Sequence, residues 1–309
     1  MRWLGSVTAL VLRITKQGVG LLRCLWVFSL LCTSGCAWLD AQQRQIIYRP
    51  TSSAAADFVG RLPGDLRYFV TLPAETSNTT SAPNAPDQRI ELWWLPNTAP
   101  QAPTLLYLHG TFRTVFENLH KIEALRSAGF SVLAVDYRGW GQSTPLTPSE
   151  QTILQDADLA WVELQRREPR AAHRVIYGHS MGSGVAVDLA SRLHAPTDYG
   201  ALILESAFTS FSDVAREAGF LTQLFDLFNQ QRFASIEKIA RVNAPLLMLH
   251  GLRDDTIPIA LGERLFKAAN PPKQWLTIDN GGHSDLDEIN PALYQSTLQR
   301  FATTYLSGP

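Results

Sequence analysis

From Thr104 onward, short apolar runs alternate with longer stretches of helical character, and this alternation governs what the chain can fold into. The runs are T-L-L-Y-L-H (104–109), S-V-L-A-V-D-Y (131–137), R-V-I-Y (174–177), A-L-I-L-E (201–205), P-L-L-M-L-H (245–250) and Q-W-L-T-I (274–278). Helical stretches are expected near 116–128, 149–167, 182–194, 259–269 and 291–306. Strands that are apolar on both faces, each followed by a segment long enough for a right-handed crossover, predict a parallel sheet with helices on both sides. Two earlier segments, Asp65–Leu72 and Arg89–Leu95, read as antiparallel strands. The loop between them, Ala74–Asp87, is rich in Ser, Thr, Asn and Pro. Trp93 and Trp94 fit sheet packing better than a ligand platform. The interval Ala207–Asn243 exceeds a simple crossover; its F-L-T-Q-L-F-D-L-F-N run suggests a small helical lid, and core packing is the alternative.

The N-terminus carries a different pattern. Arg2, Arg13, Lys16 and Arg23 precede the apolar run Leu25–Cys32, and Thr33-Ser34-Gly35-Cys36 follows it. That is a basic region, a short apolar core and a small-residue cleavage zone. The run is short for a bilayer span. It resembles a bacterial lipoprotein signal, which implies lipidation of Cys36 and attachment to the membrane of the cell envelope, with outer-membrane sorting suggested by Ala37. Thr33 departs from that signal, which usually has Leu there; an ordinary signal peptide or a weak anchor are the alternatives.

Composition narrows the picture further. A chain of 309 residues, 45% hydrophobic, can bury a large core. Its formal net charge is −1; the 27 basic residues less those four against 28 acidic ones leave a mildly acidic body, which argues against nucleic acid as a partner. All three cysteines (Cys24, Cys32, Cys36) lie in the N-terminal segment, so the body can hold neither a disulfide framework nor a cysteine metal site.

The chemistry sits at the strand ends, where a doubly wound sheet binds its ligands. In I-Y-G-H-S-M-G (176–182), Ser180 lies between Gly178 and Gly182 at a strand-to-helix junction. This G-x-S-x-G turn exposes a serine nucleophile, and the N–H of Met181 becomes a candidate oxyanion donor. H-G-T (109–111) after an earlier strand offers the N–H of Thr111 as a second donor. H-G-L-R-D-D (250–255) presents Asp254 or Asp255 to orient a base, and D-N-G-G-H (279–283) puts His283 on a glycine-hinged loop. The chain order Ser…Asp…His is that of a nucleophilic triad, and joint occurrence carries weight that a lone G-x-S-x-G lacks. With no HExxH and no G-x-G-x-x-G, neither metal nor dinucleotide cofactor is expected.

Over Arg89–Leu306 the chain resembles the α/β-hydrolase superfamily. The carrying segments are L-H-G (108–110), D-Y-R-G-W-G-Q-S (136–143), I-Y-G-H-S-M-G (176–182), L-E-S-A-F-T-S (204–210), L-H-G-L-R-D (249–254) and G-G-H-S-D (281–285). Within it, the chain is similar to membrane-associated acyl-protein thioesterases and their bacterial relatives. The resemblance implies an α/β-hydrolase fold with a small helical lid. It also implies Ser180 as nucleophile, His283 as base and Asp254, by its H-G-x-x-D spacing, as acid. Asp136, Arg138, Gly139 and Glu205 take architectural places. The expected reaction is cleavage of a carboxylic ester or thioester of a small or lipid-like acyl substrate. A prolyl-oligopeptidase-type peptidase and a non-catalytic envelope lipoprotein are the alternatives.

Overall fold

The computed structural model describes residues 38–52, 60–72, 87–226 and 229–306. Cys36 and the signal-like segment lie outside the described residues, as does nearly all of the 74–87 loop. Contacts divide the chain into residues 1–43 and 44–309; in the first unit the described residues 38–43 are helical. The second unit holds the sheet and the chemistry.

Eight strands form one sheet: β1 (Leu66–Thr71), β2 (Arg89–Leu95), β3 (Thr104–Leu108), β4 (Ser131–Asp136), β5 (Arg174–His179), β6 (Ala201–Glu205), β7 (Leu246–Gly251) and β8 (Lys273–Ile278). Their order is β1-β2-β4-β3-β5-β6-β7-β8. β2 runs antiparallel to both β1 and β4, and β3 to β8 are mutually parallel. The order reverses between β4 and β5, so the crevice of the sheet opens at the C-terminal end of β3 and β5. β3, β4, β5, β6 and β7 are buried at every residue, because helices cover both faces.

Strand alternation sorts the core into two layers. Leu106, Leu108, Ile176 and Leu204 face a cluster with α2 (Glu150–Arg167), α3 (Met181–Ser191) and α6 (Ile259–Ala268). Leu105, Tyr107, Val175 and Ile203 face α1 (Leu119–Ser127) and α8 (Pro291–Tyr305). Helix starts follow local chemistry. Ser149 caps α2 in a reciprocal capping box with Thr152, and Asn290 caps α8 with Pro291 in its first turn. Trp93 is buried in the sheet, as its strand position predicts.

The 207–243 interval is divided. Phe208, Phe233, Ile239 and Val242 belong to the core. Between them run α4 (Phe211–Glu217) and α5 (Phe220–Asp226), and Phe220 is exposed. Among the described residues, no helix is long and apolar enough to cross a membrane.

Candidate active site

β5 ends at His179 and α3 starts at Met181, leaving Ser180 alone in the joint. Its backbone has φ +55° and ψ −126°, a conformation that costs on the order of 1–3 kcal/mol for a residue with a Cβ. Packing imposes it. A Cβ on Gly178 would sit 2.3 Å from the Gly182 carbonyl oxygen, and one on Gly182 would sit 2.0 Å from that of Leu108. The two glycines let α3 close onto β5 and β3, and the tight joint lifts the hydroxyl into the crevice.

His283 arrives from the loop after β8. Its Nε2 lies 2.9 Å from Ser180 Oγ, and its Nδ1 lies 2.9 Å from Asp254 Oδ2 and 3.0 Å from Oδ1. An Nδ1–H donated to the carboxylate leaves Nε2 free to accept the serine proton. Of the two candidate acids, Asp254 is buried and paired, whereas Asp255 is exposed. Asp254 Oδ1 also accepts the N–H groups of Thr256 and Ile257. Burial works to raise its pKa, yet hydrogen bonds from His250 and His283, the imidazole charge and the Ile257 N–H outweigh it. They hold the carboxyl well below the usual carboxylate range.

Gly281 and Gly282, read from sequence as hinges, do a different job. A Cβ on Gly281 would sit 2.4 Å from Leu286 Cδ2, and one on Gly251 would meet the Gly281 carbonyl oxygen at 2.2 Å. The loop is packed against β7 and not free to swing.

Met181, at the start of α3, and Thr111, on the loop after β3, line the crevice together with Ser180. The Thr111 loop is held from behind. His109 Nδ1 donates to the Gly110 carbonyl at 2.6 Å, and Asp136 Oδ1 accepts the Val115 N–H at 2.9 Å. Burial lowers the His109 pKa to about 4, so this ring is neutral.

Several supporting groups were not legible in the sequence. His179, the variable position of G-H-S-M-G, donates Nε2–H to the His283 carbonyl at 2.8 Å, and Ser206 Oγ donates to the same oxygen at 3.1 Å. Burial, then repulsion from His283 and Lys121, pushes the His179 pKa well below its usual value, which keeps it a neutral donor. His250 donates to the Ile257 carbonyl and lies 3.4 Å from Asp254 Oδ2. Beneath them Lys121, fully buried, bridges Glu205 (2.5 Å) and Asp287 (2.7 Å), while Tyr177 and Tyr294 donate to the other Glu205 oxygen. Glu205 is thus architectural, as the resemblance implied, and α7 (Leu286–Ile289) ties the His283 loop to the sheet through it. Arg138 pairs with buried Asp156, and Gly139 has φ +99°, so that turn is architectural too.

Known proteins resemble this chain in sequence and in fold. The serine aminopeptidase S33 family model matches residues 99–232. An uncharacterized protein of Mycobacterium tuberculosis is 31% identical over 279 residues, covering 90% of this chain and 93% of that protein. The lysophosphatidylserine lipase ABHD12 of Rattus norvegicus is 33% identical over 227 residues, 67% of this chain but 56% of its own length. In architecture, the Pyrococcus furiosus esterase Pf2001 superposes with a TM-score of 0.60 at 19% identity, covering 81% of this chain and 98% of that one. The chain belongs to the α/β-hydrolase superfamily of serine hydrolases.

Proposed function

We propose that this chain is a serine esterase that cleaves carboxylic esters of lipid-like acyl groups through an acyl-enzyme intermediate. The observation that carries the reading is the continuous relay Ser180 Oγ–His283 Nε2 and His283 Nδ1–Asp254, at 2.9 Å for each link. A serine hydroxyl is a weak nucleophile at neutral pH, so it needs a base within hydrogen-bond reach. As Ser180 Oγ attacks the ester carbonyl, His283 Nε2 takes its proton, and the ionised Asp254 stabilises the imidazolium. The carbonyl oxygen gains charge and is received by the N–H groups of Met181 and Thr111. The tetrahedral intermediate then expels the alcohol, which leaves with the proton from His283. Water, deprotonated by the same imidazole, attacks the acyl-serine and releases the acid. Thioesters fit the same geometry, with a thiol as leaving group. The lipase name of the rat relative supports the lipid-like acyl class.

Labelling by a fluorophosphonate probe tests this directly. The wild-type protein is expected to label and to hydrolyse short p-nitrophenyl esters, and Ser180→Ala to do neither. A folded wild-type protein that stays unlabelled would favour the non-catalytic binder. The family-model name supports a second reading, peptide cleavage. Turnover of amino-acyl p-nitroanilides faster than of esters would select it. The proposal extends to Cys36 as a lipid anchor: Cys36→Ser should then move the protein from the membrane to the soluble fraction.

A further inference from the structure

Two cavities meet at Ser180, and their walls differ in chemistry. The larger, about 850 Å³, is lined by Arg113, Glu117, His120, His283, Asp285 and Glu288. The smaller, about 220 Å³, is lined by Met181, Phe208, Phe211, Val214, Ala215 and Ala218. Thr111 and Ser180 border both. His283 borders the polar cavity and is not part of the apolar wall.

The chemistry of the relay decides which half of an ester enters each. The proton that His283 Nε2 takes from Ser180 has to reach the leaving oxygen, so the alcohol departs on the imidazole side. That side is the charged cavity. The carbonyl oxygen turns toward the Met181 and Thr111 amides, and the acyl tail extends away from His283, into the apolar pocket beneath α4. The opposite placement would press methylenes against a guanidinium and three carboxylates and strip those charges of water.

Resting on the esterase reading above, we infer that the substrates are single-chain esters of a medium-length acid and a hydrophilic alcohol, with Val214 and Ala215 of α4 setting the acyl length. An apolar cavity of about 150 Å³ holds a benzene ring, so one of about 220 Å³ seats an acyl chain of about six to eight carbons. The polar cavity is nearly four times larger and takes an alcohol that keeps its own hydrogen bonds, such as glycerol or a glycerol-based headgroup.

A chain-length series tests the assignment: p-nitrophenyl esters from acetate to palmitate, and glycerol and hexanol monoesters of octanoic acid. For the wild type, kcat/KM is expected to rise about fourfold per methylene, the factor for burying one, until the pocket is full. Glycerol octanoate should be preferred over hexyl octanoate. Ala215→Leu should move the optimum to shorter chains and Val214→Ala to longer ones, by about two carbons each. If both variants fold, label with the fluorophosphonate and keep the wild-type chain-length profile, the acyl assignment is overturned while the esterase reading stands. Preference for the hexyl ester would overturn the alcohol assignment. A wild type that neither labels nor hydrolyses any of these esters would remove the underlying reading instead.

Discussion

Ser180 and His283 meet at 2.9 Å but are held there by opposite means. Ser180 is fixed by close backbone packing at the strand–helix joint: the glycines two residues away let α3 close onto β5 and onto Leu108 of β3, and its N–H donates to the Glu205 carbonyl. His283 sits on a loop whose position is set by residues far off in sequence. Asp254 holds its ring, His179 and Ser206 hold its carbonyl, and Lys121 ties down the helix that follows through Asp287. One partner is placed by close-packed backbone, the other by buried side-chain hydrogen bonds and charge. The first kind of placement tolerates almost no change in residue size. The second is shared among several contacts, so each deletion should cost a part of the whole.

Three substitutions probe that contrast, in descending order of effect. Gly182→Ala puts a methyl 2.0 Å from the Leu108 carbonyl oxygen, so α3 has to shift and carry the Met181 N–H with it. The expected result is insoluble protein or, if it folds, a kcat lower by about 10²-fold or more, the cost of a lost oxyanion donor. Near-normal kcat would mean that the joint is softer than its packing indicates. Lys121→Met leaves Glu205 and Asp287 facing one another with no cation, and urea unfolding should show a loss of about 3–5 kcal/mol. Adding Glu205→Gln and Asp287→Asn should recover much of it; no loss in the single variant would show that the network does not anchor the loop. The smallest effect belongs to the carbonyl of His283. His179→Phe or Ser206→Ala each removes one hydrogen bond of about 1 kcal/mol, equivalent to about fivefold in kcat, with fluorophosphonate labelling slowed in parallel. If the double variant still turns over at the wild-type rate, His283 is placed by Asp254 alone and the shared placement is wrong.

The same contrast explains which parts of the molecule were legible before any coordinates. Strands at 89–95 and 201–205 match their sequence-expected bounds, and the others agree to within one or two residues. Each is an apolar run ended by a turn residue, which is local information. Lid and core could not be separated over 207–243, since Phe208 and Phe211 are alike in composition. Only the packing shows Phe208 fully buried in the core and Phe211 partly buried against it, with both lining the apolar pocket. Glycines 281 and 282 suggested freedom in sequence, while their neighbours make the loop close-packed.

By itself the sequence determined the alternation of strand and helix, and it brought Ser180, Asp254 and His283 to the ends of three strands, because strand periodicity and turn chemistry are written in adjacent residues. Tertiary structure alone decided that His179 holds a carbonyl 104 residues away. It also decided that a lysine with no exposed surface binds two carboxylates from different elements. Those choices depend on distances between segments remote in the chain, and the free energy of burying a charge or a donor is defined only once its partners are packed around it.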